Sequence, residues 1–129
     1  MSFSPVKKNL MNWGQFPVRM GKSYQFSSEY ELDKLWIQLK NSFIARGMGR
    51  CYGDGSLASQ VLSTVNYSHL LDLDEEHGVL VAESGITLNQ LLETLIPRGW
   101  FLPVTPGKSY VTLGGGVAAG VHGKNHHCD

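Results

Sequence analysis

The chain has 129 residues and a mass of 14.2 kDa, with 11 Lys and Arg balancing 11 Asp and Glu, which is room for one ordinary domain with a real core. With 42% hydrophobic and only 17% charged residues the composition excludes a disordered chain, and zero net charge argues against nucleic acid or an anionic membrane as the main partner. No apolar run approaches the roughly 18 residues of a membrane helix, so a soluble, cytoplasmic chain without a transmembrane segment is expected.

The N-terminal MSFSPVKKNLMNW carries two lysines with no apolar core behind them, so no signal peptide is expected. Ser28 and Glu31 form a capping box, and Leu32, Leu35, Trp36 and Leu39 follow at helical spacing, which predicts a first helix with one apolar stripe. Short β-rich runs come next: Phe43 to Ala45, Val61 to Val65, Leu70 to Leu73, and Val79 to Ala82 after a turn at Glu76-His77-Gly78. A second helix opens on the box Thr87/Gln90. Its stripe is Leu88, Leu91, Leu92, Leu95 and Ile96, with Gly99 as the C-cap. Both stripes read as core faces. The mixture lacks a regular βαβα repeat, so the fold class is α+β.

Fifteen glycines gather mainly in two loops, and the chemistry is sought there. The first, Ala45-Arg46-Gly47-Met48-Gly49-Arg50-Cys51-Tyr52-Gly53-Asp54-Gly55, directly follows a predicted strand. Glycines let successive backbone N–H groups converge on an anion such as a pyrophosphate, and Arg46 and Arg50 would add charge-assisted bonds. The spacing G-x-G-x-x-x-G is one residue too wide for a Rossmann fingerprint, and no amphipathic helix follows. A plain glycine-rich turn explains this loop in isolation equally well.

The second loop runs from Pro106 to His127. Gly123-Lys124 invites a P-loop reading, which fails at Ala118, where glycine is required, and at Asn125, where Ser or Thr is. The small residues from Gly114 to Gly120 predict a short helix whose N-terminal amides hold phosphate oxygens and whose surface packs on a flat ring. His122 and His126 stand at i, i+4 with His127 and Cys128 beside them, but Gly123 weakens a helix there; no metal is expected. Cys51 and Cys128 are too few for a disulfide scaffold. Two such loops suggest two clamps on one extended phosphorylated cofactor.

The runs IARGMGRCYGDG (44–55), VAESGITLNQLLETLIPRGWFLPVTPG (81–107) and VTLGGGVAAGVHGKNHH (111–127) together resemble the FAD-binding domain of the vanillyl-alcohol-oxidase, or PCMH-type, flavoproteins. Within that superfamily they resemble the decaprenylphosphoryl-β-D-ribose oxidase-like FAD-linked oxidoreductases. The resemblance implies the N-terminal portion of the PCMH-type fold, truncated at Asp129. Residues 1–14 are then an N-terminal extension and 15–129 a partial FAD-binding domain.

It further implies that Ala45 to Gly55 wraps the FAD pyrophosphate, that Gly107, Thr112, Leu113, Gly114 and Gly115 contact FAD, and that Ala119, Gly120, Val121 and His122 lie along the flavin. His122 and Lys124 would act on the substrate side. Many members carry a flavin-linked histidine where this chain has Arg50, which implies non-covalent FAD. Cys51 stands where relatives have serine and reads as a small buried side chain. The implied activity is oxidation of a secondary alcohol of a sugar or polyprenyl-phosphate sugar by hydride transfer to flavin, the sugar-type substrate belonging to the full-length enzyme. This chain alone is expected to be inactive. The alternatives are an inert half-domain that folds or self-associates, as a homodimer through exposed sheet edges, and a small metal-binding protein using His122, His126 and His127.

Overall fold

β1 (Val6–Leu10) pairs antiparallel with β2 (Arg19–Gln25), placing Lys8 opposite Gly21 and Leu10 opposite Arg19. With β3 (Ile44–Arg46) and β4 (Gln60–Ser63) they form a four-stranded sheet in the order β1-β2-β4-β3, in which β4 runs parallel to both neighbours. The computed structural model describes residues 2–40 and 42–123; this sheet belongs to a first unit, Met1–Tyr67, and a second unit spans Ser68–Asp129. Residues 1–14 thus contribute an edge strand to the first unit.

Parallel neighbours require crossover connections. α1 (Glu29–Leu39) provides the crossing from β2 to β3, and the segment 47–59, which contains the first glycine loop, provides the one from β3 to β4. Ser28 caps α1 by accepting from the Glu31 N–H, while the Glu31 carboxylate reaches back to the Ser27 N–H and hydroxyl at 2.7 and 3.0 Å. Leu35 and Leu39 point into a cluster with Tyr24, Phe26 and Leu62. Trp36, placed in that stripe by its spacing, is instead 51% exposed and meets Phe43 edge-on at 5.1 Å. Leu10, Leu57 and Val61 form a separate cluster. Successive residues of a strand face opposite sides, so Val61 and Leu62 bury β4 on both faces.

The sequence reading did not foresee β1 or β2. Their sequences, VKKNL and RMGKSYQ, are polar and do not alternate cleanly. Gly21 explains how so polar a strand sits centrally: a Cβ there would come 2.6 Å from Leu10 Cδ1 and 2.7 Å from the Ala58 carbonyl oxygen.

In the second unit β5 (Leu70–Asp74) and β6 (Val79–Ala82) form an antiparallel hairpin. α2 (Leu88–Leu95) carries the complete Thr87/Gln90 capping box. A 3₁₀ turn (Ile96–Arg98) follows, and Gly99 at φ +79 closes it: its N–H donates to Ile96 and the Trp100 N–H to Leu95, the Schellman pattern. Leu88, Leu91 and Leu95 pack with Ile86 against Leu70, Leu73 and Leu80. Ile96, assigned to the same stripe by spacing, stands at the start of the 3₁₀ turn and is exposed. α3 (Leu113–Ala118) ends the described elements. No helix among the described residues is long and apolar enough to cross a membrane.

Candidate functional site

The loop leaving β3 has the backbone that an anion needs. Gly49 and Gly53 take φ of +65° and +56°, which cost any other residue about 1–2 kcal/mol. Among the described residues, no backbone N–H from Gly47 to Asp54 donates to a protein acceptor. Backbone donors do not stay unpaired at little cost, so this run is open to water or to a ligand oxygen. Met48, Arg50, Tyr52, Gly53, Asp54 and Gly55 are exposed, and nothing lies within 4 Å of where a Cβ on Gly53 would stand.

A buried asparagine holds the loop in this shape. Asn12, 4% exposed, accepts at Oδ1 from Arg46 Nη1 (2.7 Å) and from the Ser56 hydroxyl (2.9 Å), and its Nδ2 donates to the Gly53 carbonyl (2.9 Å). Arg46 also donates to the Ser56 hydroxyl (2.9 Å) and carbonyl (3.3 Å), and through Nη2 to the Met11 carbonyl (2.7 Å). The Trp13 N–H donates to the Cys51 carbonyl at 3.2 Å, and the Trp13 ring meets Tyr52 edge-on at 5.6 Å. The Cys51 thiol, half-buried, donates to the Ser56 hydroxyl at 3.2 Å. Burial lowers the Arg46 pKa, with the Cys51 sulfur acting in the opposite direction.

The Arg46 guanidinium, expected from sequence to meet a phosphate, is therefore turned inward as a brace. Arg50 is exposed. A Cβ on Gly49 would collide with Arg46 Nη2 and stand 2.8 Å from its Cζ, so this glycine is also required by the brace. Sequence reasoning missed Asn12 and Ser56. A lone Asn and a lone Ser carry no motif, and Asn12 meets partners 34, 41 and 44 positions away.

The second loop departs from expectation. α3 forms, capped by Thr112, but its first amides are all taken. Leu113 N–H donates to Ile86 (2.8 Å), Gly114 N–H to Ser84 (2.8 Å), Gly115 N–H to the Thr112 hydroxyl (3.1 Å) and Gly116 N–H to the Thr112 carbonyl (2.8 Å). The expected phosphate site at this helix end is thus occupied by the protein itself. The arrangement is reciprocal: Thr87 bridges Thr112, and the Leu88 N–H donates to Val111 at 3.0 Å, so α2 and α3 cap each other. Gly114 serves that packing, since a Cβ would come 2.9 Å from Ser84 Cβ.

Thr112 is buried and Leu113 packs on the α2 cluster, so both face inward. Gly120 at φ +57 ends α3 in a second Schellman pattern, with Gly120 N–H to Val117 and Val121 N–H to Gly116. Gly107, Gly115, Ala119, Gly120 and His122 are exposed and Val121 half-buried. Lys124, His126, His127 and Cys128 lie outside the described residues. Among the described residues no group of three or more His, Cys, Asp or Glu is placed to hold a metal.

A family model described as an FAD binding domain matches residues 27–128, and the chain belongs to that family. It is 29% identical over 131 residues to decaprenylphosphoryl-β-D-ribose oxidase of Mycolicibacterium smegmatis, spanning 97% of this chain and 28% of that protein. Over 54 residues it is 43% identical to a delta(24)-sterol reductase homolog of Caenorhabditis elegans, covering 42% of this chain and 10% of that one. Among solved structures, a solvent-stable cholesterol oxidase matches at TM-score 0.81 and 26% identity, over 94% of this chain and 25% of that one. A variant of cholesterol oxidase from Brevibacterium sterolicum matches at TM-score 0.81 with 11% identity, over 95% and 25%, a likeness of fold alone. The α+β, PCMH-type architecture read from the sequence is the one found. The chain spans about a quarter of the length of these full-length relatives.

Proposed function

We propose that this chain supplies the pyrophosphate-binding part of the FAD site in a flavin-dependent oxidoreductase acting on a secondary alcohol of a sugar or polyprenyl-phosphate sugar. The observation that supports the cofactor assignment is the run of backbone N–H groups from Gly47 to Asp54 with no protein acceptor among the described residues. These donors suit the two phosphates of a dinucleotide, and exposed Arg50 adds positive charge beside them. The substrate class rests on the likeness to decaprenylphosphoryl-β-D-ribose oxidase.

Bound FAD supplies the two-electron acceptor for alcohol oxidation. The chain's part is to bind and orient. The loop from Ala45 to Gly55 holds the phosphates through its backbone, without a covalent link, since Arg50 offers no imidazole. Gly107, Gly115, Ala119 and Gly120 are small and exposed, which would let a planar ring approach closely, while Thr112, Leu113 and Gly114 hold α3 in place against α2. Val121 leads the chain to His122, whose imidazole takes up the alcohol proton. Lys124 binds an anionic or hydroxyl-rich substrate.

A second reading, a half-domain that folds and self-associates, is favoured by the apolar residues exposed on β6, Val79 and Val81. Titration of the purified chain with FAD, followed by flavin fluorescence, separates the two. The first reading expects saturable binding that ADP competes away and riboflavin does not. A folded chain without saturable binding, or equal competition by riboflavin, overturns it.

A further inference from the structure

Asn12 and Trp13 together touch the glycine loop at two carbonyls, Gly53 and Cys51. A trans peptide is planar, and its C=O and N–H point in opposite directions. Pinning the Gly53 carbonyl therefore aims the Asp54 N–H away from Asn12, and pinning the Cys51 carbonyl aims the Tyr52 N–H away from Trp13. Both are among the amides that lack a protein acceptor. Gly53, at φ +56 and with nothing within 4 Å of where a Cβ would stand, has a peptide that can turn over at little steric cost. If it turned, a carbonyl oxygen would replace a donor in the cradle and repel an anion.

We infer that Asn12 is a positioning residue for the anion-binding loop: its carboxamide fixes the Gly53–Asp54 peptide so that the Asp54 N–H faces the ligand. The assignment of its two ends is not arbitrary. Arg46 has only donors, so Asn12 must present Oδ1 to it, which leaves Nδ2 for the Gly53 carbonyl. The Met11 carbonyl, held by Arg46 Nη2, secures the segment that carries Asn12. The segment that follows β1 thereby governs a loop that begins more than thirty residues later.

This inference rests on the FAD reading for its consequence and on the apo protein for its geometry, and two measurements keep them apart. Asn12→Asp retains the acceptor for Arg46 and Ser56 but loses the donor to Gly53. In the apo protein the Gly53 carbonyl ¹³C resonance should move upfield in Asn12→Asp, while Cys51, beside Ser56, should react with a thiol reagent at the parent's rate, followed by peptide mapping. FAD should bind this variant about tenfold more weakly, the loss expected when a part-buried hydrogen bond that orders the loop is broken. Asn12→Ala should in addition speed Cys51 labelling, because the brace loses its acceptor.

An unchanged Gly53 resonance in Asn12→Asp overturns the positioning role. So does unchanged FAD affinity in a variant whose resonance has moved. If the parent chain binds no FAD yet the resonance moves as stated, Asn12 still positions the peptide and the FAD reading is what fails.

Discussion

Arg46 Nη1 donates to Asn12 Oδ1 at 2.7 Å, joining the last residue of β3 to a buried amide 34 positions earlier. Three further acceptors, the Ser56 hydroxyl and carbonyl and the Met11 carbonyl, complete the brace. Arg46→Met keeps the apolar stem but leaves buried Asn12 Oδ1 with one donor instead of two. We expect a loss of about 2–3 kcal/mol in urea denaturation, since charge-assisted bonds to buried partners are worth that much. Arg46→Lys should recover less than half, because one ammonium cannot reach all these acceptors in the fork geometry. Parental stability in Arg46→Met would show that the brace is dispensable.

Gly49 and Gly53 share a left-handed φ but differ in surroundings, so their substitutions should separate folding from ligand binding. Gly53→Ala meets no neighbour and should cost only the backbone term, about 1–2 kcal/mol. Gly49→Ala adds a collision with the Arg46 guanidinium and should cost clearly more by thermal melting. Gly53→Val should fold yet lose FAD, because its side chain enters the open cradle. Normal FAD titration of folded Gly53→Val would remove this loop from the site.

The two glycine loops look alike in sequence and differ in what their amides do. This gives a test by chemical shift. Pyrophosphate added to the labelled chain should shift amides between Gly47 and Asp54 and leave Leu113 to Gly116 in place, because those four already donate to Ile86, Ser84 and Thr112. Shifts of equal size at both loops would mean that the mutual capping of α2 and α3 opens to admit an anion.

The difference between those loops marks where the sequence is readable. Caps are local, spanning one helical turn: the Thr87/Gln90 box is found as read, and Ser28 caps α1 as read, although Glu31 reaches back to Ser27 instead of closing the box on Ser28. Glycine at a required left-handed φ is also a local demand, which is why Gly49, Gly53 and Gly99 stand out. Asn12 bonding to Gly53, or Ser84 to Gly114, is set by strand order and by helix packing far along the chain, and no single residue announces it. Trp36 and Ile96 show the same limit in the core: helical spacing puts them on a stripe, but its margin and the 3₁₀ turn decide their exposure.

The β5–β6 turn carries a pH dependence of known sign. The Asp74 pKa is lowered below its ordinary value of 3.8, first by the side-chain bond from His77 and then by the His77 backbone N–H. A depressed carboxyl pKa contributes stability above its ordinary value and loses it as pH falls through the lowered one. Acid unfolding of the parent should therefore steepen below about pH 4. Asp74→Asn, which cannot titrate, should show a flatter decline of melting temperature over the same range. Parallel acid profiles for the two proteins would mean that the turn plays no part.

The two-stranded sheet of the second unit carries a prediction about self-association. Leu70, Leu73 and Leu80 pack on α2, whereas Leu71, Val79 and Val81 are 59%, 54% and 48% exposed. Val79 and Val81 alternate with Leu80 and so share the opposite face of β6. Among the described residues β5 and β6 pair only with each other, which leaves a free edge on each. Open edges beside an apolar face recruit further strands, and a lysine on such an edge blocks them. We expect the chain to sediment above its 14.2 kDa monomer mass at tens of micromolar. Val81→Lys should return it toward monomer while leaving α2 packing, and hence the far-ultraviolet circular dichroism, unchanged. A parent chain that is monomeric across that range would show that β5–β6 does not drive association, and a Val81→Lys variant that assembles as the parent does would move the contact to the four-stranded sheet, whose edges are β1 and β3.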